Sequence, residues 1–264
     1  MSVLSAAESA APAAAERPRG VVVTGAARGL GRAIAERFAA AGHAVVALDV
    51  SADAASFASG LGAGHDAVVG DAGDPETVAR ACERAAELGG GGLGTYVVNA
   101  GVHSTGPATE YPLEEWDRLI DVNLRAAFVG ARVARGYFTD GSSVVMLSSI
   151  CASQGFAGRA AYCASKAGID GLVRSLAMEW GPDGIRVNAV APGTIRTEMQ
   201  RAAVASGAAS NEQYLGRIPL ERVGEPHEIA DAVFYLASPQ ASYISGVVLP
   251  VDGGWAGGGL PASG

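Results

Sequence analysis

The sequence predicts a doubly wound α/β fold, in which a mostly parallel sheet carries helices on both faces. Three observations lead to this prediction. Short apolar runs rich in β-branched residues alternate with longer segments of helical periodicity. A glycine-rich turn lies between the first such run and the first helical segment. Polar residues follow the ends of several predicted strands, which is where open α/β sheets bind their ligands.

Composition bounds the kind of protein. The chain has 264 residues, enough for one large domain or two small ones, and 49 % of them are hydrophobic, which indicates a sizeable core. The formal net charge is −8 and no basic run occurs, so we expect no nucleic-acid partner. No apolar run approaches the roughly 18 residues that span a membrane, and the N-terminal residues lack the features of a secretory signal. We therefore expect a cytoplasmic protein with no membrane partner.

The cysteines give no sign of a metal site. There are three of them, Cys82, Cys151 and Cys163, and their number and spacing fit neither a metal cluster nor a redox pair. We therefore expect free thiols in a reducing compartment and no bound metal.

The first half of the chain contains three predicted strands and two predicted helices. The strands are short apolar runs, at residues 20–25, 44–50 and 65–71. Residues 29–43 show helical periodicity, and Gly42 ends that helix. Residues 74–88 form the second helix, with proline at its first position and glutamate in its first turn. We assign no element to residues 51–64.

The second half continues the alternation. Four further strands are predicted at residues 95–101, 142–149, 185–193 and 246–254. Helices are predicted between them at residues 113–138, 160–180 and 226–238. We find no internal repeat and no separable second domain. The prediction is therefore one seven-stranded domain over residues 19–264.

Three stretches fall outside the alternation. The Ala-rich residues 1–18 are predicted to be a disordered tail. Residues 194–224 are rich in alanine, serine and glycine, carry several charges and are too long for an ordinary connection, so we predict a mobile substrate lid there. Residues 255–264 are either a loose tail or a segment that closes a neighbouring subunit's pocket.

The segment TGAARGLG (24–31) lies between the first predicted strand and the first helix. Its glycines, at positions 25, 29 and 31, allow a sharp turn and a close approach of the backbone to a pyrophosphate, which then lies on the helix N-terminus. The spacing G-x-x-x-G-x-G differs from the commoner G-x-G-x-x-G. Its place after a strand and before a helix nevertheless favours a dinucleotide site.

Asp49 ends the second predicted strand, 20 residues after Gly29. A carboxylate at this distance can bind both hydroxyls of an adenosine ribose and repel a 2′-phosphate. No lysine or arginine occurs between Arg37 and Arg80, so the second strand offers no cation to such a phosphate. Arg28, within the glycine loop, is the one cation that favours NADP. We therefore predict NAD rather than NADP as the cofactor.

Small and polar residues also follow other strands. Asp71 ends the third predicted strand and could reach the adenine amino group, and NAG (99–101) ends the fourth, where a bound nucleotide would pass. These positions lie at carboxyl ends of strands, so we expect them to share one edge of the sheet with the glycine loop.

Lys166 is the only lysine of the chain and lies four residues after Tyr162, so the two side chains share one face of the predicted helix. An ammonium near a phenol favours the phenolate and lowers the pKa of the tyrosine from about 10 toward the working pH. Arginine could supply the charge, but it does not easily relay a proton. The pair therefore predicts acid–base chemistry at Tyr162.

Ser149 and Asn123 extend this polar set. Ser149 ends the fifth predicted strand, thirteen residues before Tyr162, and its hydroxyl can hydrogen-bond a substrate oxygen. Asn123 lies within a predicted helix, where asparagine is mildly unfavourable. A role in holding a water beside Lys166 would explain its presence.

The motifs TGAARGLG, NAG and YCASK, together with Asn123 and Ser149, resemble the short-chain dehydrogenase/reductase family, in its branch of about 250 residues. The resemblance continues through IRVNAVAPGTIRTEM (185–199) and VDGG (251–254), and it covers residues 20–254. The one departure is VNAG, where many members have a second asparagine before AG. That position is not catalytic.

The resemblance implies a single-domain Rossmann-type fold and an Asn–Ser–Tyr–Lys tetrad. Tyr162 would act as general acid/base on the alcohol or carbonyl oxygen, and Ser149 would orient that oxygen. Lys166 would lower the pKa of the tyrosine, hold the nicotinamide ribose and pass protons onward, and Asn123 would position the relay water. Hydride would move directly between the substrate carbon and nicotinamide C4. The family is usually tetrameric, so the resemblance also implies a homotetramer that pairs along the two long helices and the C-terminal strand.

The predicted cofactor contacts combine the strand-end residues with positions that the resemblance implies. They are Gly25, Arg28, Gly29, Leu30, Gly31, Asp49, Asp71, Ala72, Asn99, Ala100, Gly101, Tyr162, Lys166, Pro192, Gly193, Ile195 and Thr197. By the same analogy the substrate pocket contains His103, Cys151, Gln154, Phe156 and Tyr214, although a loop histidine more often has no ligand role. This mixed set would suit a polyol, a cyclic alcohol or a natural-product intermediate.

We expect an NAD-dependent oxidoreductase that acts on a secondary alcohol or ketone, and alternatives stay open. An NADPH-dependent 3-oxoacyl carrier-protein reductase would need basic residues beside the mouth of the site, and Asp140 and Asp183 stand where such reductases place arginines. A non-catalytic NAD(H)-binding regulator is the second alternative, and the intact tetrad argues against it. Sugar-nucleotide epimerisation usually needs a longer C-terminal substrate domain.

Overall fold

The computed structural model describes residues 19–198, 200–201 and 214–258. Seven parallel strands form one sheet in the order β3-β2-β1-β4-β5-β6-β7. The strands are β1 Gly20–Thr24, β2 Ala44–Asp49, β3 Asp66–Val69, β4 Leu93–Val98, β5 Phe138–Leu147, β6 Arg186–Pro192 and β7 Val248–Val251. The predicted doubly wound, seven-stranded α/β fold is therefore confirmed. The order reverses between β1 and β4, which is where such sheets open a crevice for a ligand.

Helices cover both faces of the sheet. They are α1 Gly29–Ala40, α2 Asp53–Leu61, α3 Pro75–Leu88, α4 Leu113–Ile120, α5 Ala126–Ala134, α6 Ala160–Trp180 and α7 Pro226–Ala237. On one face α1, α2 and α7 bury an apolar layer against the strands. On the other face α3, α5 and α6 do the same. The strands are apolar on both sides because each side packs on helices.

Helix α3 begins where the sequence predicts. The Asp74 carboxylate accepts hydrogen bonds from the backbone N–H groups of Glu76 and Thr77, and Pro75 occupies the first helical position. These bonds satisfy donors that a helix start would otherwise leave unpaired. The cap therefore fixes the turn that follows the third strand.

The continuous helix predicted at residues 113–138 is wrong. A π-helical turn at Asp121–Arg125 separates α4 from α5, and a 3₁₀ turn at Arg135–Tyr137 precedes β5, which already begins at Phe138. Such π turns break the helical repeat and occur often at functional sites. Asn123 lies within this turn. Its low α-helix propensity matters less there, because the segment is not a regular α-helix at this position.

Helix α2 was not expected from the sequence. Its buried residues are Ala54, Phe57 and Ala58, and Leu61 is partly buried, so only two large apolar residues, Phe57 and Leu61, mark the period. A helix with so little apolar contrast gives no clear signal in a single sequence. β3 is also shorter than the predicted strand, because only four residues pair with β2.

Parts of the chain lie outside the described residues. They include the predicted tail at 1–18, the middle of the predicted lid and the last six residues. At the base of the lid, Ile195 forms a parallel bridge with Gly224, and Ile218 packs with Ile150 and Trp255. Within the described residues, no helix combines the length and apolar character that crossing a bilayer needs.

Arg186 ties the sheet to α7, and its loss is predicted to lower stability. The buried guanidinium donates to the carbonyl oxygens of Leu236 (2.5 Å), Ala237 (2.9 Å) and Ser238 (3.1 Å) at the end of that helix. Arg186→Met leaves carbonyls without this charged donor, so we expect the free energy of unfolding to fall by about 2–4 kcal/mol. Denaturant unfolding measures the change.

The matched control is Arg84→Met, which removes exposed ion pairs with Asp66 and Glu87. Surface pairs contribute little, so the free energy of unfolding of this variant is expected to fall much less than that of Arg186→Met. Equal losses in the two variants would contradict the role assigned to Arg186.

Candidate active site

The glycine loop after β1 has the shape that a dinucleotide requires. A Cβ on Gly31 would lie 2.1 Å from the Gly25 carbonyl oxygen, so only glycine lets α1 begin this close to the strand. Gly29 has a φ of +59° and faces open space. No side chain caps the start of α1, so its first N–H groups are available to a phosphate. These features fit a nicotinamide dinucleotide, with Arg28 and Leu30 on the same turn.

Asp49 stands beside this loop at the end of β2. Its Oδ2 accepts the Ala27 N–H at 2.9 Å, and its Oδ1 accepts the Ser51 N–H at 2.9 Å. The carboxylate thus holds the glycine loop and keeps acceptor positions for a ribose. Among the described residues, the Asp49 carboxylate forms no ion pair with an arginine.

Asn99 braces the ends of β1 and β4. Its side-chain amide donates to the carbonyl oxygens of Thr24 (2.8 Å) and Gly25 (3.1 Å), and the Thr24 hydroxyl accepts from the N–H groups of Asn99 and Ala100. Gly101 follows, and a Cβ there would lie 3.2 Å from Asn123 Oδ1. The predicted contact of Asn99 with a nucleotide stays a prediction, because its side chain serves the loop itself.

The remaining predicted cofactor positions lie around the same edge. Asp71 is exposed and accepts the Gly73 N–H at 2.8 Å, while Ala72 is buried. Pro192 ends β6, and the Gly193 N–H donates to the carbonyl oxygen of Val251 at 3.0 Å. Ile195 is buried, and the Thr197 hydroxyl accepts the Gln200 N–H at 3.2 Å. Their contacts with a cofactor stay predictions.

Ser149, Tyr162 and Lys166 are brought together where β5 ends and α6 begins. Ser149 follows β5 directly, and Tyr162 lies in the first turn of α6. Ser149 acts to lower the pKa of Tyr162, and Ser149 Oγ accepts the Cys151 N–H at 3.1 Å. Lys166 Nζ lies 5.8 Å from the centre of the Tyr162 ring. The predicted pairing on one helix face is therefore present in the structure.

Lys166 is buried, and one hydrogen bond fixes it. Its Nζ donates to the carbonyl oxygen of Leu147 at 2.7 Å, which connects α6 to the last residue of β5. Burial lowers the pKa of Lys166 to about 8, an effect that the nearby Asp170 carboxylate partly offsets. The ammonium is thus close to losing its proton near neutral pH, which an arginine could not do.

A lowered pKa was expected at Tyr162 from the sequence. The residues around it instead raise its pKa. Burial raises the pKa of Tyr162 to about 12, although the hydrogen bond with Ser149 and the charge of Arg159 act to lower it. Lys166 makes no hydrogen bond with the phenol oxygen, because its ammonium donates to the carbonyl oxygen of Leu147. In this arrangement Tyr162 holds its proton and is ready to act as an acid.

Asn123 joins the π turn to the site, but its side chain does not reach Lys166. Its Oδ1 accepts the Val102 N–H at 2.7 Å, and its Nδ2 donates to Val102 O (2.9 Å) and Ser165 Oγ (3.2 Å). Ser165 Oγ in turn donates to the carbonyl oxygen of Tyr162 at 2.8 Å. Asn123 therefore links the segment after β4 to the first turns of α6. A role in positioning water stays a prediction.

The predicted substrate residues gather around Trp255, which sequence reasoning did not assign to the pocket. Trp255 Nε1 donates to Gln154 Oε1 at 2.8 Å, and its ring stacks on Phe156 with centres 5.9 Å apart. The Tyr214 ring lies 6.0 Å from it. Trp255 is buried in its own chain, so the start of the C-terminal segment is not a loose tail. Its signal in the sequence was a tryptophan within the glycine-rich segment GGWAGGG.

Arg159 is the second residue that sequence reasoning missed. Its Nη2 donates to the Tyr214 hydroxyl at 2.7 Å, and its guanidinium lies 5.2 Å from the centre of the Phe156 ring. In a chain with 18 arginines no feature of the sequence singles it out, apart from its place three residues before Tyr162. The structure puts this cation inside the predicted substrate pocket.

His103 and Cys151 complete the wall of the pocket. The His103 ring contacts the Tyr162 ring edge-on, with centres 4.7 Å apart. Burial, with the charge of Arg159 as a second cause, lowers the pKa of His103, so the imidazole is neutral at pH 7. Cys151 is buried, and burial raises the pKa of its thiol. The described residues contain no cluster of three or more metal-ligating side chains.

Known proteins are similar to this chain in sequence. A family model described as enoyl-(acyl carrier protein) reductase matches residues 25–256. The 3beta-hydroxysteroid dehydrogenase 1 of Eggerthella lenta is 39 % identical over 244 residues, which cover 89 % of this chain and 92 % of that protein. The trans-4-hydroxycyclohexanecarboxylate dehydrogenase of Sinomonas cyclohexanicum is 36 % identical over 244 residues, with coverages of 88 % and 91 %. The 3-oxoacyl-(acyl-carrier-protein) reductase MabA of Mycobacterium bovis is 39 % identical over 241 residues, with coverages of 89 % and 92 %.

Solved structures agree with these matches. A short-chain dehydrogenase from Burkholderia cenocepacia in complex with NADP has a TM-score of 0.83 and 33 % identity, and the match covers 91 % of this chain and 98 % of that one. Sequence, fold and site therefore lead to one conclusion. This chain belongs to the short-chain dehydrogenase/reductase family and is an oxidoreductase that binds a nicotinamide cofactor.

Proposed function

We propose that this protein is an NAD-dependent dehydrogenase that interconverts a secondary alcohol and its ketone. One observation carries the proposal: Tyr162, Ser149 and Lys166 meet beside the glycine loop, at the edge where the sheet opens. Hydride is supplied or accepted by the nicotinamide ring when the dinucleotide is bound. Side chains of this protein carry out the other steps.

In ketone reduction, Tyr162 gives its proton to the carbonyl oxygen. Burial keeps the phenol protonated, and Ser149, which acts to lower the pKa of that phenol, orients the same oxygen. Lys166 stabilises the phenolate that remains through its positive charge, since its ammonium lies 5.8 Å from the centre of the ring. In alcohol oxidation the same groups act in reverse, with Tyr162 as base.

Asp49 supports NAD rather than NADP. Its carboxylate is fixed by the Ala27 and Ser51 N–H groups at the end of β2, where an adenosine ribose would lie. A 2′-phosphate there would meet a negative charge, and Arg28 is the only cation of the loop. The Burkholderia relative was solved in complex with NADP, so a direct comparison of NAD with NADP tests this assignment.

The pocket favours a ring-bearing alcohol. Phe156, Tyr214 and Trp255 offer aromatic faces that suit a compact cyclic substrate, and two relatives are named for cyclic substrates, a hydroxysteroid and a hydroxycyclohexanecarboxylate. The MabA relative raises the 3-oxoacyl carrier-protein reductase as a second candidate. Against it, acidic residues, Asp140 and Asp183, stand at the positions where the resemblance places the arginines of such reductases, and Asp183 pairs with Arg135 at 2.6 Å.

Assembly and location extend the proposal. A homotetramer that pairs through α5 and α6 is supported by exposed apolar side chains on these helices, Phe128 and Met178, which a partner subunit would cover. A cytoplasmic location stays a prediction from the composition. The non-catalytic regulator stays an alternative that turnover would exclude.

Turnover tests the proposal. We expect the purified protein to form NADH from at least one alcohol in a panel of hydroxysteroids, hydroxycyclohexanes, hydroxycyclohexanecarboxylates and polyols. Tyr162→Phe is expected to lower kcat/KM by about 10²- to 10⁴-fold, because it removes the acid–base hydroxyl. NADH binding, followed by fluorescence, controls for folding. A variant within tenfold of the wild type would contradict the role of Tyr162.

Reduction of a ketone is expected to weaken at alkaline pH. Burial lowers the pKa of Lys166 to about 8, so the ammonium is present at pH 7 and is lost as the pH rises. Tyr162, with its pKa raised to about 12, stays protonated over this range. We therefore expect kcat/KM for reduction to be level below about pH 7.5 and to fall about tenfold per pH unit well above pH 8. A profile that stays level to about pH 10 would show that the charge of Lys166 is not needed.

Asp49→Asn is expected to relax cofactor choice. The amide keeps an oxygen for the Ala27 N–H but removes the charge that repels a 2′-phosphate. We expect the ratio of kcat/KM for NAD to that for NADP to fall at least about tenfold, which is about 1.4 kcal/mol. Asp71→Asn, an exposed carboxylate on the next strand end, is the control and should change the ratio less. Turnover of the wild type with NADP alone would overturn the assignment of Asp49.

A further inference from the structure

Arg159 is a partly buried cation in the substrate half of the site. It directly precedes α6, three residues before Tyr162. Its polar contacts are the Tyr214 hydroxyl at 2.7 Å and, more weakly, the Cys151 sulfur at 4.0 Å. The Phe156 ring lies under the guanidinium, 5.2 Å away. These contacts hold the side chain on the aromatic cluster of the pocket.

None of these contacts neutralises the charge. Seven other arginines in the described part of the chain form ion pairs with carboxylates within 4.0 Å, but Arg159 does not. Its partners are a phenol, a thiol and an aromatic ring. Removing a charge from water without an opposite charge is unfavourable, so this position calls for an anion that the described residues do not supply.

Among the described residues, the groups around Arg159 add no negative charge. His103 is neutral at pH 7, because burial lowers its pKa. Burial also keeps Cys151 and Tyr162 protonated, since it raises the pKa of each. The first turn of α6 holds no acidic residue, and the positive end of the helix dipole points to the same side. The pocket is therefore positive in a protein whose net charge is −8.

We propose that Arg159 binds a carboxylate of the substrate, so that this protein acts on hydroxy acids, or the corresponding oxo acids, rather than on neutral alcohols. The proposal rests on the proposed dehydrogenase function. A guanidinium matches the planar carboxylate with two parallel hydrogen bonds, and its single charge balances a single carboxylate. The Tyr214 hydroxyl and the Phe156 ring fix the guanidinium before the substrate arrives, which reduces the ordering cost of binding.

This arrangement also gives selectivity. A neutral alcohol of the same size would fill the aromatic pocket but leave the guanidinium without its partner. The site would therefore discriminate against it, as sites with buried polar groups reject analogues that lack the matching group. Arg159 is then a specificity-determining residue, while Tyr162 and Ser149 act on the reacting oxygen.

The test separates binding from turnover. Cyclohexanecarboxylate and cyclohexanecarboxamide are non-reacting probes of equal shape and different charge, and calorimetry measures their binding to the NADH-loaded wild type. We expect the acid to bind at least about tenfold more tightly than the amide, which is about 1.4 kcal/mol. In Arg159→Gln we expect this preference to disappear, while amide binding changes less than about threefold.

Two further variants sharpen the result. Arg217 is an exposed arginine whose guanidinium lies 5.5 Å from the centre of the Trp255 ring, so Arg217→Gln is the matched control and should keep the preference. Arg159→Lys keeps the charge without the two-pronged geometry and should keep part of it. It also covers the case in which Arg159→Gln fails to fold, which thermal unfolding would reveal.

Three outcomes would overturn the proposal. They are a wild type that does not prefer the acid, an Arg159→Gln variant that weakens both probes equally, and loss of the preference in Arg217→Gln alone. Equal weakening would mean that Arg159 only supports the aromatic cluster. Acid preference without NADH formation from any alcohol would leave the role of Arg159 standing and refute the dehydrogenase function instead.

Discussion

One hydrogen bond, from Lys166 Nζ to the carbonyl oxygen of Leu147, organises this site. It joins helix α6 to the end of β5, and so it sets the position of Tyr162 one turn earlier relative to Ser149. The bond is buried, and burial disfavours charge. Burial lowers the pKa of Lys166 and raises the pKa of Tyr162, so the same cause favours the neutral form of both groups. The acid and its neighbouring cation follow from the packing of one helix on one strand.

The topology of the sheet explains why the remaining groups lie nearby. All seven strands are parallel, so their carboxyl ends share one edge, and the strand order reverses between β1 and β4 at the glycine loop. Asn99 and Thr24 brace these two strand ends, and Asn123 connects the segment after β4 to α6. The residues assigned to cofactor and chemistry are thus held by a network of side-chain to backbone bonds, which leaves little freedom for the loop that carries Gly29.

Local patterns made most of this predictable. The strands and α6 were placed correctly because apolar runs and helical periodicity are strong signals, and Tyr162 with Lys166 stood out through spacing and rarity. What failed depended on three-dimensional context. Helix α2 has only two large apolar residues, and the π turn contains Asn123, whose side chain makes a tertiary contact with Val102. Trp255 and Arg159 meet Phe156 only after folding, and the pKa of Tyr162 is governed by burial, which no sequence pattern reports.

The two cations of the site are chemically different, and the difference is consistent with two tasks. Lys166 can lose its proton near neutral pH because its ammonium is compact and buried, so it suits a place where protons move. Arg159 keeps its charge at any working pH and presents a planar set of donors, so it suits a fixed anion at a distance from the reacting oxygen. All other cationic side chains of this chain are arginines, and the single lysine stands where loss of a proton matters. An arginine stands where loss of a proton would be a disadvantage. Exchanging the two residues would therefore impair proton transfer and anion binding separately, even though the total charge of the pocket would stay the same.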